Sequence, residues 1–171
     1  MNKILLTISI FFFLSCNKNL EKKDCSSDQK TDKKFEMYQM SEMAALMENK
    51  GQIIAMDIYA GKLKELKRRA KRAGAHNIQP RLIESSKTIK KLKESADRVL
   101  IDAPCSGLGV LKRNPDAKWK LQPEFIDNIK KTQAEILDSY SKLVKKGGKL
   151  VYATCSILPS ENEEQVAAFI E

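Results

Sequence analysis

The sequence predicts an α/β protein, a mostly parallel sheet with helices on both faces. Three observations predict it. Short apolar runs at 52–57, 98–102 and 149–154 have strand length, and two of them close on an acid, Asp57 and Asp102. Stretches with apolar residues at helical spacing separate them. A chain of 171 residues, 42% hydrophobic and without internal repeats, can bury one ordinary core.

Taken in order, residues 1–16 combine one cation, Lys3, with an apolar run from Ile4 to Leu14 that ends in Leu14-Ser15-Cys16. Eleven residues are too few to span a bilayer core of roughly 30 Å. The pattern reads as a secretory leader ending at a lipidation cysteine, although Phe13 stands where a smaller aliphatic residue is usual. The alternative is a buried element of the domain. Residues 17–34 are polar and charged, as a tether would be. The predicted organisation is therefore a leader at 1–16, a tether at 17–34 and a domain at 35–171.

Within the domain, Met37, Met40, Met43, Ala44 and Met47 recur at helical spacing before Gly51. The run 52–57 is a buried strand. Leu63, Leu66, Ala70 and Ala73 mark one face of a basic helix ending at Gly74. A strand at 78–84 and a basic helical stretch to about Ser95 follow, then the strand 98–102. A long helix is expected over 125–144 after Pro123, a strand at 149–154 after a Gly147-Gly148 turn, and a closing helix from Glu161. Ser160 with Glu163 has the spacing of a capping box for that last helix.

Composition narrows the function classes. Lys and Arg number 31 against 22 Asp and Glu, a net charge of +9, which points to an anionic partner, nucleic acid or an acidic membrane surface. Residues 50–95 hold 13 Lys and Arg against 4 Asp and Glu, an excess of 9 equal to that of the whole chain. Such a run is either a solvated helix face or a phosphate-binding one. Aromatics at 6% argue against a base-stacking platform. The four cysteines, Cys16, Cys25, Cys105 and Cys155, form no C-x-x-C pair and only His76 could join them, so no metal site is expected. With Cys16 lipidated, three thiols remain, an odd number that does not close a disulfide framework.

In parallel sheets the ligand crevice lies beyond the carboxyl ends of the strands. Asp57, Asp102-Ala-Pro-Cys105 and Thr154-Cys155 all fall there. An acid at such a strand end either binds ribose hydroxyls or caps the next helix.

Asp102-Ala103-Pro104-Cys105-Ser106-Gly107, followed by Arg113-Asn114-Pro115-Asp116-Ala117-Lys118-Trp119 and then by Ala153-Thr154-Cys155-Ser156, resembles the motifs of the RsmB/NOP (Fmu/Sun) family of RNA cytosine-5 methyltransferases. The resemblance runs from about Ala44 to Glu171. It implies a Rossmann-like class I methyltransferase fold, here truncated at both ends, and S-adenosylmethionine as methyl donor. It assigns Cys155 as the thiolate that adds to carbon 6 of cytosine, Cys105 as the group that assists proton loss at carbon 5, and Asp102 as the acid on the base's Watson-Crick edge, also bordering the cofactor. Asp57 matches the family's ribose-binding acid, and Glu84 approximately matches an acid near the adenine. The implied partner is rRNA or tRNA and the implied compartment the cytoplasm, at odds with a leader lipidated at Cys16.

The family's first motif, an acid-x-Cys-Ala-Gly-x-Gly-Gly-Lys loop, should precede the helix containing Ala44. Here Asp32-Lys-Lys-Phe-Glu-Met-Tyr-Gln-Met-Ser41 stands in its place, and no glycine occurs before Gly51. The expectation is a sheet lacking its first strand, a weakened cofactor site with activity in doubt, and a chimeric reading frame that joins a catalytic half to an unrelated leader. The alternatives are a membrane-anchored basic lipoprotein and a non-catalytic RNA-binding remnant.

Overall fold

A computed structural model of the chain describes residues 9–14 and 39–171, except positions 113, 114, 117, 118 and 120. Five strands, β1 (Ser9–Leu14), β2 (Gln52–Asp57), β3 (Ile78–Leu82), β4 (Ala96–Asp102) and β5 (Val144–Ala153), form one sheet in the order β3-β2-β1-β4-β5. Among the described residues the helices α1 (Gln39–Leu46), α2 (Ala60–Arg72), α3 (Ser86–Lys90), α4 (Pro123–Ser141) and α5 (Glu163–Ile170) accompany it.

Alternation along β2 explains the two covered faces, because successive side chains of a strand point to opposite sides. Ile54 and Met56 join Val99 and Ile101 of β4 and Ile136, Leu137 and Tyr140 of α4 in one core. Ile53 and Ala55 join Met40 and Ala44 of α1 and Ala70 of α2 in the other. The expected layering is present.

The centre of the sheet differs from expectation. β2 pairs with β3 and β4 with β5 in parallel, but β1 lies between β2 and β4 and is antiparallel to both. Ser9–Leu14, from the apolar run read as part of a leader, thus supplies the backbone groups that an interior gap would leave unmatched along β2 and β4. Ser9 stands in register with Asp57 on one side and Asp102 on the other. Cys16, Cys25, the tether at 17–34 and most of the segment at 32–41 lie outside the described residues.

Local boundaries moved for identifiable reasons. α2 stops at Arg72 because Gly74 turns left-handed at φ 66° and the Ala75 N–H reaches back to the Ala70 carbonyl at 2.9 Å. Ala75, not Ala73, then enters the core. The basic stretch after α3 breaks into turns ending at Glu94, also left-handed at φ 50°. Gly147 and Gly148 lie inside β5 instead of forming a turn before it. The register with β4 jumps there from Ala96↔Val144 to Arg98↔Lys149, and a Cβ on Gly148 would stand 2.8 Å from the Asp97 carbonyl oxygen. Ser160 does not cap the last helix. Pro159–Glu161 is a separate 3₁₀ turn and Asn162 occupies the N-cap position of α5.

Candidate active site

All four parallel strands end at one edge of the sheet, and the residues singled out in the sequence line up along it. Asp57 closes β2, only 4% exposed, with Oδ1 accepting the Tyr59 N–H at 2.7 Å. Glu84 lies exposed two residues beyond β3, beside Asp57 through the Ile83 N–H bonded to the Asp57 carbonyl at 3.0 Å. Asp102 closes β4 and is exposed. With β1 between them, Asp57 and Asp102 are two strand spacings apart, about 10 Å. Next along the edge are the two cysteine loops.

Cys105 follows β4 and Cys155 follows β5, and the parallel pairing of those strands brings the loops together. The Ala103 N–H donates to the Ala153 carbonyl at 2.8 Å, extending the ladder by one bond. The two sulfurs are 3.1 Å apart, reduced, and share one hydrogen bond. The Cys155 N–H also points at the Cys105 sulfur, at 3.3 Å. The Cys105 thiol is held below its ordinary value, first by the hydrogen bond from Cys155 and then, against the opposing effect of burial, by the backbone N–H groups of Gly107 and Cys155. The negative charge of Glu161 works the other way. Thus the backbone donors of Gly107 and Cys155 converge on Cys105.

Two glycines allow this crossing. Gly107 turns left-handed at φ 72°, and a Cβ on Gly109 would stand 2.7 Å from the Cys155 carbonyl oxygen, which accepts the Gly109 N–H at 2.9 Å.

Beneath the thiols lies a polar cluster that the sequence reading missed. Glu161 and Gln133 are both fully buried. The Glu161 carboxylate accepts the Ser106 N–H at 2.8 Å, the Gln133 amide at 3.0 Å and the Ser156 hydroxyl at 2.6 Å. Ser156 Oγ, having given its proton to Glu161, accepts the Ser106 hydroxyl at 3.0 Å and the Leu158 N–H at 3.1 Å. Asn162 ties the second loop from below, its amide donating to the Ser156 and Leu158 carbonyls, both at 3.0 Å. Part of this was visible beforehand. Gln133 interrupts the core face of α4 formed by Ile129, Ile136, Leu137 and Tyr140, and a polar residue at a core position calls for a buried partner.

As to a nucleotide-type cofactor, the residues present fit its sugar end. Asp57 places a carboxylate at a strand terminus, with the acids Glu84 and Asp102 further along the same edge. The strand between Asp57 and Asp102 begins at this edge instead of ending there, so among the described residues no glycine turn follows it.

The model of the 16S rRNA methyltransferase RsmB/F family matches residues 39–171. The probable ribosomal RNA small subunit methyltransferase B of Bacillus subtilis strain 168 is 40% identical over 130 residues, 75% of this chain and 29% of its own length. The ribosomal RNA small subunit methyltransferase B of Photorhabdus laumondii is 40% identical over 120 residues, 70% of this chain and 28% of its own. Among solved structures, NSun6 from Pyrococcus horikoshii with SFG superposes with a TM-score of 0.67 at 32% identity, over 76% of this chain and 33% of that one. The chain therefore spans roughly three-tenths of the length of the curated relatives it matches.

Proposed function

Since the chain belongs to the 16S rRNA methyltransferase RsmB/F family, we propose that it carries the catalytic half-site of an S-adenosylmethionine-dependent RNA cytosine-5 methyltransferase. The observation that carries this reading is the pair of sulfurs 3.1 Å apart at the strand edge that also bears Asp102. One residue cannot both attack a ring carbon and remove the proton from its neighbour; two adjacent thiols divide that work.

In this reading the Cys155 sulfur bonds to carbon 6 of cytosine while Asp102 delivers a proton to the ring nitrogen, leaving carbon 5 electron-rich. Carbon 5 then gains the methyl group. Cys105, as thiolate, takes the proton from carbon 5, the carbon–sulfur bond breaks with Cys155 leaving as thiolate, and the ring nitrogen returns its proton to Asp102. The two thiols are already hydrogen-bonded, so a proton held by one is within reach of the other. S-adenosylmethionine, when bound, supplies an electrophilic methyl group, and SFG, found in the NSun6 structure, is an analogue of it. Asp57 would hold its ribose and Glu84 the adenine side.

RNA as partner is supported by the cations of α2. Lys64, Lys67, Arg68 and Lys71 line a shallow groove of about 760 Å³ that runs against Ile78 at the start of β3. A paired cytosine would have to leave its stack to reach the thiols.

The test is incubation of the protein with labelled S-adenosylmethionine and rRNA or tRNA, beside Cys105→Ser. Methyl transfer by the parent protein, and a covalent RNA adduct through Cys155 in the variant, are expected. Neither transfer nor adduct, with the fold intact, would refute the reading. RNA binding without both would favour a non-catalytic remnant.

A further inference from the structure

Glu161 lies outside the pair of sulfurs, yet among the described residues the side-chain ties between the two cysteine loops that avoid the sulfurs run through its carboxylate or the adjoining serines, beside the backbone bond from the Gly109 N–H to the Cys155 carbonyl. On the first loop it holds the Ser106 N–H, one residue after Cys105, and on the second the Ser156 hydroxyl, one residue after Cys155. From the α4 side, the Gln133 amide donates to Glu161 at 3.0 Å and to the Pro104 carbonyl, one residue before Cys105, at 2.8 Å. Tyr152, at the end of β5, closes the cluster by donating to the Glu161 carbonyl at 3.0 Å.

The cost of this cluster argues for a task. A fully buried carboxylate loses its hydration and must recover it from donors. Gln133 gives its amide hydrogens to two acceptors, while its own oxygen, also buried, has no donor among the described residues. A fold that needed only packing here would use apolar side chains, as at Ile136 and Leu137 on the same helix.

We propose that Glu161 is a positioning residue that locks the Cys105 and Cys155 loops in mutual register, so that the two sulfurs stay at reacting distance. The proposal rests on the reading of that pair as the reacting thiols. Its consequence for chemistry is that the 3.1 Å separation of the sulfurs is set by a residue that acts through the neighbouring Ser106 and Ser156.

The test needs no methyl transfer. Diamide oxidises two adjacent thiols to a disulfide, taking up their two protons and two electrons, and its rate measures how often the sulfurs meet. Peptide mapping assigns the product to Cys105 and Cys155, apart from Cys16 and Cys25. Glu161→Ala is expected to slow this cross-link at least tenfold with the melting transition still cooperative. Glu161→Gln is expected to restore it, because the amide oxygen can accept from Ser106 and Gln133 while the amide nitrogen donates to Ser156 Oγ, whose proton then turns to Ser106. Glu161→Gln also removes a negative charge, so the pH midpoint for alkylating Cys105 should fall below that of the parent protein. Should Glu161→Ala fail to fold, Ser156→Ala removes one arm of the cluster and is expected to slow cross-linking to a lesser extent. Cross-linking at the parental rate in a folded Glu161→Ala or Ser156→Ala, or equal slowing by Ala and Gln, overturns the proposal. Parental methyl transfer lacking throughout, with these thiol effects present, would instead refute the functional reading alone.

Discussion

Gly109→Ala should damage the site through a single methyl group. The added Cβ would stand 2.7 Å from the Cys155 carbonyl oxygen and 3.3 Å from its carbon, and both are backbone atoms that cannot rotate aside. Ordinary contact would require the oxygen to retreat by roughly 0.5 Å or more, stretching the 2.9 Å bond from the Gly109 N–H. Overpacking of this kind costs about 1–3 kcal/mol, and a weakened neutral hydrogen bond about 1 kcal/mol more. A shift of that size also disturbs the contact of the Cys155 N–H with the Cys105 sulfur, now 3.3 Å. Urea unfolding should report a loss of about 2–4 kcal/mol, while diamide cross-linking of Cys105 to Cys155 slows about tenfold, since an ångström of misplacement costs roughly a hundredfold. Gly148→Ala is the control. Its Cβ would meet the Asp97 carbonyl oxygen at 2.8 Å and a Val144 methyl at 2.6 Å, five residues before the site end of β5, so it should destabilise without slowing the cross-link. If Gly109→Ala keeps both the parental unfolding midpoint and the parental cross-linking rate, the close crossing of the two loops is refuted.

Phe12→Pro removes an N–H from the strand that both β2 and β4 pair with, leaving about 1–3 kcal/mol of unmatched backbone. The melting temperature should drop by several degrees, whereas a run serving only as a leader would leave it unchanged. Ile101→Ala empties a fully buried position on β4 and should cost about 2–5 kcal/mol in urea unfolding with the slope unaltered. On α2, the hydrogen bonds from Arg68 and then Arg69, at 2.8 and 2.7 Å, lower the Glu65 carboxyl from 4.5 to about 2. A lowered carboxyl stabilises the fold above its unfolded value, and that contribution disappears as the pH falls from 4.5 towards 2. Thermal melts of the parent and Glu65→Gln should therefore differ above pH 4.5 and converge near pH 2, with added salt shrinking the difference at an exposed site.

The sequence by itself determined the α/β alternation and most strand positions, because 52–57 and 98–102 are too short and too apolar for anything but buried strands. It also pointed to the family, since the motifs at Asp102–Gly107 and Ala153–Ser156 are identifiable without coordinates. Only the tertiary structure decided that Ser9–Leu14 enters the centre of the sheet. Strand pairing is a contact between distant segments, and an eleven-residue apolar stretch has the same local pattern whether it is removed as a leader or buried as a strand. The tertiary structure likewise decided the role of Glu161. Read along the chain it opens a surface helix; in space it lies between two loops fifty residues apart in sequence, where three donors make its burial tolerable.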